Sequence, residues 1–262
     1  MLKTIQGNLY DYPKYYDLVY GSDWKAEFDF LLACFEQHAK VRVRRVFEPA
    51  CGTGRLLVKL AAAGFHVGGL DLNPLAIEYC NKRLERHGFK PTAVVGDMVD
   101  FRTQRPVDAA FNTINSFRHL ATERQAKSHL ECMVNALRPG GIYVLGLHLT
   151  PTAVEPLQEE SWSARRGNLA VLSKLWVTEC DRKRRRERVG MSFDVYTPTE
   201  QIRIEDSITF RTYSNRQMSR LLGSIDRFEV TAVYDFSYDI CHPIEIGPET
   251  EDVVYVLRKR GK

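Results

Sequence analysis

Hydrophobic positions in the first two-thirds of the chain alternate between two rhythms. Short, almost continuous β-branched runs occur at Val43–Pro49, Phe65–Asp71, Thr92–Asp97, Val107–Thr113 and Gly141–Leu149. Such runs fit strands buried on both faces. Between them lie amphipathic stretches, RLLVKLAAAG, NPLAIEYCNKRLERHG and TERQAKSHLECMVNALRPGG, whose apolar residues recur at helical spacing. Asn73-Pro74 is a helix start, and RPGG offers a glycine cap with a proline that stops the third helix. Strand–helix alternation of this kind predicts βαβ units and a mostly parallel sheet.

After Leu149 the rhythm changes. Leu169–Asp181, Glu187–Pro198 and Gln201–Tyr213 are three β-rich runs with no helix between them, which predicts an antiparallel meander. A helix over Ser214–Ser224 and strands at Phe228–Phe236 and Asp252–Arg260 then restore the first pattern. The expected fold is α/β: a Rossmann-like, mostly parallel seven-stranded sheet with helices on both faces and an inserted antiparallel β subdomain after strand five. Residues 1–150 and 214–262 would form the main domain, and 151–213 the insertion, as a substrate cover or a dimer surface.

Composition narrows the class. With 262 residues, 44% of them hydrophobic and 27% charged, the chain can bury a sizeable core. No apolar run approaches the roughly 20 residues of a membrane span. The start has neither the apolar stretch nor the cleavage site of a secretory signal, so a cytoplasmic protein is expected. Six scattered cysteines without a CxxC pair read as reduced thiols, and no spacing of His, Asp or Glu marks a metal site. A net charge of +4 does not by itself imply a nucleic-acid partner.

The candidate chemistry starts at EPACGTG, directly after the first strand of the main sheet. In open parallel sheets ligands bind beyond the carboxyl ends of the strands, and glycine lets the backbone approach them. Asp71 ends the next strand, where a carboxylate can accept from both ribose hydroxyls, although a helix-capping role fits the same position. Asp97 follows the third strand, placed for an adenine amino group. A glycine loop and two carboxylates at three successive strand ends point to an adenosine-containing ligand. Leu57 stands where a dinucleotide fingerprint wants its third glycine, and no GxxxxGK[ST] loop exists.

ExACGTG, the acidic end of the next strand, GDM after the third and LRPGG before the fifth resemble class I S-adenosylmethionine-dependent methyltransferases. YYDxxY at Tyr15–Tyr20, NSFxHL at Asn115–Leu120 and the antiparallel insertion are similar to the small-molecule N- and O-methyltransferase branch. The resemblance implies S-adenosyl-L-methionine as cofactor, S-adenosyl-L-homocysteine as product, and a small-molecule acceptor methylated on nitrogen or oxygen. It implies that Ala50, Cys51 and Gly52 line the methionine portion, with Glu48 orienting the loop. Asp71 would hold the ribose, Leu72 would pack on adenine, and Asp97 with Met98 would receive its edge. Asn112 and Asn115 would approach the amino-acid end and the sulfonium, and Tyr16 and Tyr20 would bring their hydroxyls from a lid helix. Arg55 would tie that lid to the loop or stand solvated in a first helical turn.

His119 and His148 fall on the same rim and are the candidate bases, with ordinary hydrogen bonding as the alternative for each. Trp162 and Trp176 line a pocket or fill a core. NTIN in place of a [DN]PP[YFW] tetrapeptide argues against a flipped-base substrate. The basic run Arg182–Arg188 reads as a solvated hairpin tip. No membrane partner is expected, nucleic acid is disfavoured, and the chain would be a monomer or homodimer. Two other functions remain open: a non-catalytic S-adenosylmethionine-binding protein, and a nucleic-acid or protein methyltransferase docking through that run.

Overall fold

The computed structural model describes residues 3–154 and 158–261; the expected domain limits at residues 1 and 262, and residues 155–157 of the insertion, lie outside the described residues. Strands β1 (Lys3–Gln6), β2 (Arg45–Pro49), β3 (His66–Asp71), β4 (Ala93–Val95), β5 (Val107–Asn112), β6 (Leu137–His148), β7 (Glu159–Arg166), β8 (Leu169–Asp181), β9 (Arg186–Tyr196), β10 (Gln201–Arg211), β11 (Phe228–Tyr234) and β12 (Asp252–Lys259) form two sheets. The helices are α1 (Pro13–Tyr20), α2 (Lys25–Gln37), α3 (Arg55–Ala62), α4 (Pro74–Arg86), α5 (Glu123–Ala136) and α6 (Asn215–Gly223).

The seven-stranded sheet runs β11-β12-β6-β5-β2-β3-β4, parallel from β6 to β4, with β12 antiparallel to both its neighbours. It is the expected Rossmann-like sheet with helices on both faces. Successive strand residues feed opposite cores: Phe47, Ala110, Tyr143 and Tyr255 pack with α5 and α6, while Val46, Ala109, Val144 and Val254 pack with α2, α3 and α4. Burial on both faces explains why these strands read as continuous apolar runs.

The second sheet runs β1-β10-β9-β8-β7. Its three central strands are the expected meander; β7 and the N-terminal β1, which pairs parallel with β10, have no counterpart in the sequence reading. Leu9, Leu18 and Val19 of the N-terminal segment pack against Val171, Phe193 and Ile204 of this sheet. The insertion therefore shares its core with residues distant in sequence.

Two elements differ from expectation. No helix is expected between Tyr20 and Val43, yet α2 buries Glu27, Phe30, Leu31, Cys34 and Phe35, a regular helical stripe. The third helix does not reach a glycine cap. It ends at Ala136, with Leu137 already extended, because Arg138 precedes Pro139 and is biased away from helical geometry. Gly140, at φ +80°, instead turns the chain within a bulge of β6 and accepts from the Lys40 amide at 2.8 Å. The remaining caps follow the sequence: Asn73 accepts from the amides of Leu75 and Ala76, and Thr122 and Ser214 make capping boxes with Gln125 and Gln217.

One buried histidine belongs to the core. Nδ1 of His129 lies 3.0 Å from the Met98 carbonyl and Nε2 lies 2.9 Å from the Tyr143 hydroxyl. Nδ1–H donating to Met98 and Tyr143 donating to Nε2 satisfy a neutral ring on both sides, and burial pushes its pKa down to about 4. The folded pKa lies below the unfolded value, so the unfolded chain takes up the proton first as pH falls. Stability is then full above about pH 6.5 and decreases toward pH 4, by roughly 3 kcal/mol for this residue. Urea unfolding at pH 7, 5.5 and 4.5 should show that loss and a shallower slope in His129→Gln; parallel slopes would contradict the assignment.

Candidate functional site

The order β4-β3-β2-β5-β6 means that chain direction across the sheet reverses between β2 and β5. A crevice opens there beyond the carboxyl ends of the strands. Asn112, at the end of β5, bridges the reversal by donating from Nδ2 to the Pro49 carbonyl at 2.8 Å. Its Oδ1 is buried without a partner, as is Oε2 of Glu48. Burial raises the Glu48 carboxyl well above its ordinary range, with the Arg55 guanidinium opposing. Unsatisfied buried acceptors are rare in folded chains, so two of them beside one loop mark a place for a donor-bearing or cationic ligand.

The loop from β2 to α3 turns through three left-handed residues: Ala50 at φ +54°, Gly52 at +51° and Gly54 at +67°. Gly54 cannot carry a side chain, because a Cβ would stand 2.3 Å from Sγ of Cys80; at Gly52 a Cβ would meet nothing within 4 Å, so that backbone faces open space. Cys51 is buried, and its hydrogen bond to Cys80 together with burial raises its pKa well above the ordinary thiol value, which makes it a poor nucleophile.

Asp71 is the hinge of the crevice. Its Oδ2 accepts from the Gly52 amide at 2.9 Å and its Oδ1 from the Asn73 amide at 2.8 Å. Asn73, not Asp71, caps α4. Burial raises the Asp71 pKa against the lowering effect of these two amides. Leu72 follows with 66% of its surface exposed, an apolar side chain standing free at the rim. Asp97 is exposed and uses Oδ1 on the Val99 amide, whereas Met98 is buried in the core and presents its carbonyl to His129. Asn115 sits at φ +55° and spends its Oδ1 on the His148 amide at 2.8 Å, pinning the end of β6.

The N-terminal segment crosses this rim. Asn73 donates to Asp11 at 2.7 Å, and the Tyr10 hydroxyl lies 3.1 Å from Nε2 of His119 on the other side. Tyr16 is packed between Tyr10 and Tyr20, ring centroids 5.5 and 4.7 Å away, and its hydroxyl is pushed up to about 12, chiefly by burial. Tyr20 turns away from the crevice: its hydroxyl bonds Ser173 of β8 at 2.7 Å and its ring packs on Trp162 and Phe193. The expected pair of tyrosine hydroxyls at the ligand thus separates, one at the rim and one in the second sheet. Trp162 is 38% exposed, while Trp176 packs over Gly190, where a Cβ would lie 2.4 Å from the indole.

Asp17, the acidic residue of the YYDxxY motif, has no role in the sequence reading and is the anchor of α1. It is 1% exposed, pairs with Arg83, and accepts from Tyr79 at 3.1 Å and Thr53 at 3.2 Å. Arg83 also donates to the Thr53 carbonyl at 3.2 Å, so α1, the glycine loop and α4 share one buried polar cluster. A lone acidic residue inside the apolar YYDLVY run is the sequence signal for it. Arg55 is not solvated: it pairs with Glu27 of α2 and donates to the Asp23 carbonyl, in the turn after α1, at 3.3 Å. Tyr238, from the loop between β11 and β12, closes the same region with its hydroxyl 3.4 Å from the Thr113 carbonyl.

Both candidate bases are neutral at pH 7. His148 is lowered to about 4 by burial and by Arg118; its Nε2 lies 3.2 Å from Asp252, a hydrogen bond rather than an ion pair. His119 is lowered as well, by desolvation and by Arg118, but it stands exposed at the rim, so the effect is weaker than at His148; it lies against Phe210, centroids 4.9 Å apart. The basic run forms the β8–β9 turn as expected, but Arg185 is docked rather than solvated, pairing with Glu123 at the start of α5 and covering the Tyr213 ring. Among the described residues no group of three or more His, Cys, Asp or Glu could hold a metal ion, and no helix is long and apolar enough to cross a membrane.

A family model described as a methyltransferase domain matches residues 46–141, from β2 into β6. The chain is 32% identical over 139 residues to a glycine/sarcosine N-methyltransferase of Halorhodospira halochloris, covering 50% of this chain and 49% of that one. It therefore spans about half the length of that relative. Its fold superposes on an S-adenosylmethionine-dependent methyltransferase from Clostridium acetobutylicum with a TM-score of 0.77 at 18% identity, covering 97% and 100% of the two chains. KedS8, a sugar N-methyltransferase from Streptoalloteichus, superposes with a TM-score of 0.75 at 16% identity, covering 97% and 94%.

The buried Asp17–Arg83 pair carries a prediction. Asp17→Ala strands a guanidinium that is mostly enclosed, at a cost of roughly 3 kcal/mol. Hydrogen exchange over Pro13–Tyr20 should accelerate and the urea midpoint should fall. Unchanged protection of α1 would show that apolar packing alone holds the helix.

Proposed function

We propose that this chain, whose residues 46–141 match a methyltransferase domain, is an S-adenosylmethionine-dependent methyltransferase acting on an amine nitrogen of a small molecule. The observation that carries the reading is Asp71, held at the end of β3 by the Gly52 amide, beside a backbone that faces open space and an exposed Leu72. The residues fit the cofactor. The orphaned acceptors of Glu48 and Asn112 suit its ammonium, Ala50 and Gly52 its methionine backbone, Asp71 the ribose hydroxyls, Leu72 an adenine face, and the free oxygen of Asp97 its amino group. The buried Cys51 supports the loop from beneath.

When bound, the cofactor supplies a methyl group already made electrophilic by its sulfonium. The chain's own work is to align the acceptor and exclude water. The N-terminal segment, bonded to Asn73 on one side of the crevice and to His119 on the other, is suited to close it. With α1 fixed through Asp17 and Tyr20 fixed to β8, residues 151–213 would form part of the cover, with substrate choice set near Tyr16 at the rim.

The state of the histidines favours nitrogen over oxygen. A hydroxyl acceptor needs a base to take its proton during transfer, and an imidazole of lowered pKa is a weak one. An amine that arrives unprotonated needs none, and its extra proton can leave with the product. His148, held by Asp252, and His119, held by Tyr10, then serve to orient an acceptor by hydrogen bonding. The N-methyltransferases among the similar proteins support the same choice.

Calorimetric titration with S-adenosylhomocysteine should give saturable binding, NAD should give none, and Asp71→Ala should weaken the former at least ~10-fold. Failure of the folded, ligand-free protein to bind would sink the reading. For an amine acceptor, kcat/KM should rise with pH up to the acceptor's own pKa. An inflection between pH 6 and 7 that disappears in His148→Ala would instead assign that residue as a general base.

A further inference from the structure

A second concave site lies away from the crevice. A cleft of about 390 Å³ is bounded by the α1–α2 turn at Gly21–Trp24, by α3, by α4 and by the tip of β7. None of Gly52, Asp71, Leu72 or Asn112 lines it. Five arginine or lysine side chains do, and no Asp or Glu does among the described residues.

Two of those five cations are neutralised from behind, Arg83 by Asp17 and Arg55 by Glu27. The other three, Lys59, Arg86 and Arg166, have no carboxylate partner among the described residues. Lys59 and Arg86 are nevertheless held in place, while Arg166 stands exposed at the mouth of the cleft. Nζ of Lys59 stands 4.1 Å from the centre of the Trp24 ring. Arg86 donates from Nε to the Lys82 carbonyl at 3.2 Å and lies 5.9 Å from the centre of the Tyr79 ring, which Arg83 approaches at 5.4 Å. Like charges gathered from three separate elements repel one another, and no carboxylate among the described residues lining the cleft offsets them. Aromatic faces limit the entropy lost on fixing their side chains. A concave wall of pre-positioned guanidinium and ammonium groups is suited to bind oxyanions, since planar Arg forks match phosphate oxygens in pairs.

We infer that this cleft binds a diphosphate-class anion, gripped by Lys59, Arg86 and Arg166 with the Trp24 and Tyr79 rings as its walls. Two linked phosphoryl groups match three unpaired cations better than a single carboxylate does, and the aromatic walls leave room for an organic ester of that diphosphate. The site draws on both sheets, because Arg166 ends a strand of the insertion while Arg86 ends a helix of the main sheet. It does not rest on the cofactor reading.

Trp24 provides the reporter. Fluorescence titration of the full chain with inorganic pyrophosphate, at roughly 50 mM salt to limit screening, should saturate below about 1 mM. The Arg86→Gln/Arg166→Gln double variant should keep its thermal midpoint and bind at least ~10-fold more weakly, and Lys59→Gln, on a different helix, should weaken binding independently. Asp71→Ala, expected to lose S-adenosylhomocysteine, should bind pyrophosphate normally, which keeps the two readings separate. Tighter binding of ADP than of pyrophosphate assigns an organic diphosphate, and equal affinity assigns the anion alone; both support the site. A signal that does not saturate, or that is equal in the wild type and in the folded arginine and lysine variants, overturns it.

Discussion

The hydrogen bond from the Gly52 amide to Asp71 joins the glycine loop to the end of the next strand, and the surroundings of the crevice are arranged about it. It requires a backbone that turns through left-handed geometry at Ala50, Gly52 and Gly54, and a carboxylate brought level with that turn by parallel pairing of β2 and β3. Parallel register decides which strand-end residues share a rim, so Asp71 meets the loop although 19 residues separate it from Gly52. Asn112 makes the matching connection on the other side of the strand-order reversal. Together these bonds leave a crevice whose walls are rigid and whose remaining acceptors are free.

The second sheet is attached by a different principle. The inserted sheet is separated in sequence from α1, yet the two share an apolar core, and β1 extends the sheet by parallel pairing. Polar anchors then join that unit to the main domain: Asp17 to Arg83, Tyr79 and Thr53, Tyr10 to His119, Arg118 to Glu187 and Arg185 to Glu123. Apolar burial supplies most of the attachment energy without direction, whereas the buried pairs supply the register. The same division explains why a charge run at Arg182–Arg188 is partly structural: the turn it forms meets the acidic start of α5.

Burial also decides the chemistry available. A histidine at the rim suggests a base tuned near neutrality, but burial beside Arg118 drives His148 toward pKa 4 and the more exposed His119 is lowered in the same direction. The same desolvation lifts Glu48 and Asp71. Neutral imidazoles and reluctant carboxylates make a site better at orienting an uncharged nucleophile than at deprotonating one.

The main sheet was legible in the chain because its information is local. Strands buried on both faces must be apolar throughout, helices between them must be amphipathic, and Asn73-Pro74, Thr122 and Ser214 mark their starts. The glycine loop and Asp71 were legible for the same reason, since strand ends can be counted along a sequence. The α2 stripe at Glu27, Phe30, Leu31, Cys34 and Phe35 is equally present in the sequence at helical spacing. What one dimension could not supply is which distant groups meet. That Tyr20 turns to Ser173, that β1 joins β10, that Asp17 holds Arg83, and that Lys59, Arg86 and Arg166 line one cleft are decided by tertiary packing of segments distant in sequence. Propensity and periodicity determine elements; only the closing of two cores against each other determines neighbours, and the charges of those neighbours determine the site.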